Sequence, residues 1–320
     1  MTLDIVGWIV AFVAGGMLGA APWLVRRLQR RGGAAAGDAS RARRWPLVVV
    51  TAVVTLLLAG TGAYFALRVL LRSEPARPAS HAGALEAFRG TGCATPVAAG
   101  NVGGVVAAAG FGPPAPGVYS YEATGRFELR APVFGSERRE LSGTVPATVL
   151  VDGARWSWAV QFLEQRVETA EFLAGPGRRL EAPRLVTDDV HFRIAVRATM
   201  RCEPGVMVPE DAAVGASWEL PCVSHTDALM GTTHEMPTTA TLVGLELVQV
   251  GDERVPAYRV RQETRVGGSG GDQAGGLTRE TWFAADDGLP LRVVYESRTG
   301  GMADNLEEYT LELTSRTPQR

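Results

Sequence analysis

Val190-His-Phe-Arg-Ile-Ala-Val-Arg-Ala-Thr-Met-Arg-Cys202 is the stretch whose reading decides the fold of most of this chain. Val190, Phe192, Ile194, Val196, Ala198, Met200 and Cys202 share one parity, while His191, Arg193, Arg197, Thr199 and Arg201 take the other. A period of two marks a half-buried β-strand, because successive side chains point to opposite faces. The apolar parity is expected to face a core, with Cys202 among it, and the basic parity to face water.

The same rhythm runs outward on both sides. Tyr119, Tyr121, Phe127 and Leu129 share a parity broken at Gly125, opposite Glu122, Thr124, Arg126, Glu128 and Arg130. Trp156, Trp158, Val160 and Phe162 alternate with Arg155, Ser157 and Gln161. Downstream, Thr238–Val250, Val255–Val266, Leu277–Ala284, Leu291–Ser297 and Leu306–Leu313 are separated by Gly- and Asp-rich turns. One apolar and one wet face per strand is the pattern of an antiparallel sheet rather than a βαβ sheet. No long amphipathic helix follows residue 90, so residues 118–320 are predicted to form an all-β, mostly antiparallel domain.

Upstream the composition changes twice. Residues 73–117 are rich in Pro, Gly, Ala and Ser and are predicted to be a tether, with one short helix near Ala82–Phe88. Residues 1–72 are predicted to be a membrane anchor. Trp45–Leu67 is 23 residues without a charge, about 34 Å of helix and enough to cross a hydrocarbon core of about 30 Å. Ile5–Val25 is a second such run, and both turn their Arg-rich ends to the loop 26–44, which holds seven Arg and one Asp. Positive charge stays on the cytoplasmic side. The expected fold is thus a two-helix transmembrane hairpin followed by an extracytoplasmic β-domain, a curved sheet or half-barrel. The expected location is the plasma membrane, multi-pass.

Charge divides along the same boundary. Residues 1–72 carry nine Arg against Asp4 and Asp38, and the remainder carries 23 Arg against 32 carboxylates. A domain with that acidic excess and no basic stripe repels a phosphate backbone, so nucleic acid is excluded as a partner. The partners expected are the lipid bilayer and a lipid or an envelope protein. The three cysteines are Cys93, Cys202 and Cys222. An extracytoplasmic setting favours one disulfide, and among three possible pairings Cys202–Cys222 closes the shortest loop. Loop-closure entropy would make such a bridge worth roughly 3 kcal/mol. Cys93 lacks the apolar run upstream that lipid attachment would require.

Catalytic and metal-binding patterns are sparse. His225 and His234 flank Asp227, with Glu235 adjacent, but the nine-residue gap between the histidines fits no zinc spacing. Ser224, His225 and Asp227 are triad residue types, yet neighbours in one loop do not assemble a triad. The Gly-rich stretch 267–276 joins two strands instead of opening a helix. No catalytic residue, metal ligand or cofactor is assigned. Trp156, Trp158, Phe162, Phe192, Tyr258 and Tyr295 are expected to fill the core or to line a pocket for an apolar ligand.

Trp282-Phe283-Ala-Ala-Asp-Asp-Gly288-Leu289-Pro290-Leu291-Arg292-Val293 resembles a hairpin of the bacterial lipoprotein and lipid carriers similar to LolA and LppX. Val255-Pro-Ala-Tyr258-Arg-Val260 is similar in style to the strand before it, and the resemblance covers mainly residues 255–297. It implies a curved antiparallel half-barrel whose concave side holds acyl chains. The two-helix anchor and the Cys202/Cys222 pair depart from that pattern, as does the lack of helices to cover the concave face. The function expected is binding of an apolar ligand, a lipid or lipoprotein, or of an envelope partner. The alternatives are an accessory subunit of a membrane complex and an envelope hydrolase built on residues 224–235.

Overall fold

A computed structural model of the 320-residue chain describes residues 54–55, 60–62, 74–91, 110–131, 135–175, 177, 179–227, 231–267, 274–300 and 303–320. The chain divides into two units, Met1–Leu67 and Arg68–Arg320, and nearly all described residues belong to the second.

The second unit is an up-and-down barrel. Its strands are β1 (Gly117–Ala131), β2 (Gly135–Asp152), β3 (Arg155–Leu163), β4 (Arg166–Ala174), β5 (Leu180–His191) and β6 (Ile194–Cys202). A short β7 (Val206–Val208) follows, then β8 (Ser217–Asp227), β9 (Thr232–Val250), β10 (Glu253–Gly267), β11 (Ala274–Ala284), β12 (Pro290–Gly300) and β13 (Asp304–Leu313). Every pairing is antiparallel, and apart from β7 each strand lies beside its neighbours in sequence. β13 returns to pair with β1, and β4 pairs with β5, so twelve strands close into a ring. β7 extends the β6 side of β5 through Leu180↔Val208 and Glu181↔Val206. Closure leaves the ring without sheet edges, which is how antiparallel sheets avoid edge-to-edge association.

The open half-barrel is therefore corrected to a closed barrel. The membrane hairpin is not supported either: among the described residues no helix is long and apolar enough to cross a membrane. The spans 5–25 and 45–67 and the loop 26–44 lie outside the described residues, apart from 54–55 and 60–62. The multi-pass plasma-membrane location rested on those spans and falls with them.

The deciding stretch is itself two strands. β5 ends at His191, Phe192 and Arg193 form a turn with φ of 50° and 65°, and β6 begins at Ile194. The inward parity predicted for Ile194–Cys202 holds in β6, where Met200 and Cys202 line an interior space. Across the turn the parity flips. Asp189 and His191 face interior charges, and Val190 stands opposite the exposed Ala195. A two-residue turn inverts the inward parity, but here Val190 faces outward while Asp189 and His191 face inward, so the apolar alternation runs on unbroken in sequence, and no Gly or Asn marks the turn.

Two contacts show that the interior is filled. Phe172 on β4 meets Phe283 on β11 with ring centroids 5.9 Å apart, and Arg279 on β11 reaches Glu168 on β4 at 2.7 Å. These strands stand diametrically opposed in the ring, so the walls are pressed together. Trp158 and Tyr121 are fully buried and edge-on at 5.7 Å, with Trp158 Nε1 donating to the Tyr121 hydroxyl at 3.1 Å. Burying large apolar side chains of this kind stabilises by about 1.5–3 kcal/mol each. Gly125, where the β1 parity breaks, has φ of 145°, and a Cβ there would collide with the Glu308 carbonyl. Only glycine allows β1 and β13 to approach so closely.

Residues 74–91, within the stretch expected to be a tether, pack on the barrel. Helix α1 (His81–Gly90) is capped by Ser80, whose hydroxyl accepts from Gly83 N–H, and it buries Ala84 and Phe88 against Val118. Ahead of it, Glu164 N–H donates to Arg77 C=O at 2.9 Å. Cys93 lies outside the described residues.

Candidate functional site

The β4–β5 ladder that closes the barrel is bulged near one end. Glu171 pairs with Arg184 and Leu173 with Glu181, so Ala182 and Pro183 together oppose Phe172. Such a bulge leaves residues unpaired, and Pro183 has no N–H to give. The Ala182 N–H instead donates to Gly205 C=O at 2.7 Å. A Cβ at Gly205 would crowd the Ala182 carbonyl and the Pro183 backbone. The backbone after β6 thus packs directly against the bulge.

A cavity of about 660 Å³ lies at this seam. Trp156 and Phe172 form its flat apolar wall, stacked at 4.2 Å with 17° between the rings. Leu150, Val151, Leu173 and Pro183 extend the apolar lining, and Asp152, Arg155, Arg201 and Glu203 bring charge to it. Inside the wall is a smaller space of about 50 Å³, lined by Leu185, Met200, Met207, Phe283 and the Cys202 end of the disulfide among others. Phe172 and Arg184 line both spaces. Across the seam Arg184 Nη1 donates to Glu171 Oε1 at 2.6 Å. Trp156 Nε1 is buried and has no hydrogen-bond partner among the described residues.

The six aromatic candidates do not converge. Trp156 lines the seam cavity. Trp158 sits in the core against Tyr121, and Phe162 packs at 5.6 Å from Phe127 and 4.8 Å from Tyr309. Phe192 is buried in the β5–β6 turn. Tyr258 stands edge-on to Phe111 at 5.7 Å, and Tyr295 stacks on Tyr309 at 4.9 Å. Cys202 and Cys222 are cross-strand partners on β6 and β8 and are joined at 2.01 Å. Sequence reasoning missed Phe172, Arg184 and the two methionines, because the bulge that gathers them leaves no motif.

The hydrolase alternative finds no support in the placement of its residues. Ser224 and His225 lie on β8 and Thr233 and His234 on β9, where Ser224 pairs with His234 and His225 with Thr233. Adjacent pairs face opposite sides of a sheet, so His225 and His234 do not share a cleft. His225 is exposed, with Nε2 2.8 Å from Asp227 and Nδ1 3.0 Å from Thr233. Among the described residues no three His, Cys, Asp or Glu side chains are placed to hold a metal ion.

At the far ends of β4 and β5 the interior is ionic. Arg139 reaches Glu137 at 2.7 Å and Asp189 at 2.8 Å, and Arg166 reaches Asp189 and Glu307 at 2.7 Å each. His191 lies 3.3 Å from Glu137 and 3.2 Å from Asp189. Burial opposes ionisation of Asp189, but the His191 hydrogen bond and the Arg166 and Arg139 charges outweigh it and hold the carboxyl below the usual range. Glu137 is lowered in the same way, by hydrogen bonds from His191 and Arg139. For His191, burial disfavours the cation, yet hydrogen bonds to Asp189 and Glu137 raise its pKa above the ordinary 6.5. Removing one partner from such a cluster leaves an uncompensated buried charge.

No family model matches the chain, and no curated protein matches it. Among solved structures it is similar to the hypothetical lipoprotein YmcC from Escherichia coli K12. The likeness has 11% identity, covers 63% of this chain and 86% of that one, and has a TM-score of 0.31.

Proposed function

We propose that this chain is a non-enzymatic binding barrel that takes an apolar or amphipathic ligand at the β4–β5 seam. The observation supporting this reading is the seam cavity, about 660 Å³ with a stacked Trp156–Phe172 wall. That volume falls within the roughly 300–1,000 Å³ of small-molecule sites, which are mostly apolar with a few polar groups. The buried Trp156 N–H offers a donor to a ligand acceptor, and the charged residues of the cavity suit a polar end left in water.

Native mass spectrometry of the purified protein, followed by titration with a fluorescent fatty acid, tests it. Saturable binding is expected, weakened about tenfold or more by Trp156→Ala or Phe172→Ala, equivalent to about 1.4 kcal/mol or more. Absence of both a co-purified ligand and saturable binding would reject it. The filled interior favours a second reading, a rigid structural subunit of a larger complex, for which a co-purified protein and no small-molecule binding are expected.

A further inference from the structure

The ionic cluster at the β5–β6 end does not balance without His191. Glu137, Asp189 and Glu307 carry three negative charges, and Arg139 and Arg166 carry two positive ones. His191 Nδ1 faces Glu137 Oε2 at 3.3 Å, and its Nε2 faces Asp189 Oδ2 at 3.2 Å. A neutral imidazole has a single N–H, so one of these contacts would set a nitrogen lone pair against a buried carboxylate oxygen. An imidazolium donates to both and brings the cluster to neutrality.

The next two residues, Phe192 and Arg193, hold left-handed backbone conformations that side chains with a Cβ disfavour. What fixes the turn comes from β2. Phe192 N–H donates to Glu137 Oε2, the same oxygen that faces His191, at 3.4 Å. Arg139 donates to the Val190 carbonyl. The Phe192 ring is buried, 4% exposed. An unfavourable turn is thus anchored through a carboxylate whose other contact is the histidine.

We propose that His191 is a pH-dependent latch: protonated, it clasps the β5–β6 turn onto β2, and on losing its proton it releases the turn and the Phe192 ring from the barrel end. The charged groups around it are Glu137 and Arg139 from β2, Arg166 from β4, Asp189 from β5 and, behind Arg166, Glu307 from β13. Arg193 points elsewhere, 3.5 Å from Glu74. The folded-state pKa of His191 is raised above 6.5. The latch is therefore fully closed below about 6.5 and is lost as pH rises through the folded value. At the acid end it fails when Glu137 and Asp189 take up protons.

The full chain has four histidines, so ring NMR signals followed against pH, with His191 assigned through His191→Gln, give its titration directly. Hydrogen exchange of amides 190–194, corrected for intrinsic rates, reports the turn. The expected result is a midpoint above 6.5 and a loss of protection of about tenfold or more across that midpoint. His191→Gln should leave the turn unprotected at every pH. Glu137→Gln balances the cluster with a neutral histidine, so the midpoint should fall toward 6.5 and the exchange should lose its pH dependence. A wild-type midpoint at or below 6.5, or turn protection that ignores the titration, would overturn the latch, and these two wild-type measurements decide it even if neither variant folds.

Discussion

Arg279 on β11 and Glu168 on β4 meet at 2.7 Å across the full width of the barrel, and the Tyr309 hydroxyl completes the contact by donating to Glu168 at 3.0 Å. Glu168 is 3% exposed, and its carboxylate oxygens are met by Arg279 and Tyr309. Burial disfavours the Arg279 cation, but Glu168 more than compensates and raises its pKa. Arg279→Met should therefore cost about 3–5 kcal/mol in urea unfolding, because it strands a buried carboxylate. Adding Glu168→Leu should recover most of that loss. A neutral single variant would mean the walls are not pressed together.

The β5–β6 turn gives two opposite outcomes at adjacent residues. Phe192→Ala removes a buried ring and should destabilise by about 3–5 kcal/mol. Arg193→Gly relieves a left-handed backbone at φ 65° and should stabilise by about 1 kcal/mol. Stabilisation by Phe192→Ala or a large loss from Arg193→Gly would show that the chain does not turn there.

The antiparallel all-β character was legible, because it rests on alternation that local sequence carries in full. Closure was not, since a ring and a half-barrel have the same strand rhythm. It depends on whether β4 finds β5 and β13 finds β1. Val190–Cys202 misled for a related reason: its parity is unbroken in sequence while the backbone doubles back at Phe192 and Arg193. The candidate site was legible at Trp156 alone. Phe172, Arg184, Met200 and Met207 become neighbours through a bulge at Ala182–Pro183 and the approach of Gly205, which are tertiary events.

Stability should fall on the alkaline side of neutrality. His191 has its pKa raised in the folded state, so its contribution is complete below about pH 6.5 and disappears as pH rises through the folded value. Between those limits the unfolding free energy should drop with a slope of up to about 1.4 kcal/mol per pH unit. His191→Gln should lack this slope, measured by urea titration at a series of pH values. An unchanged slope in the variant would assign the dependence to another group.

Binding at the seam requires the cavity beside the Trp156–Phe172 wall to be empty. Ser157 lines that cavity, and a tryptophan there would fill it. Fluorescent fatty-acid binding is measured for the parent protein and for Ser157→Trp, with urea unfolding showing that the variant stays folded. Saturable binding by the parent and at least a tenfold loss in the variant is the predicted result. Equal binding by the two proteins would contradict the seam as the ligand site.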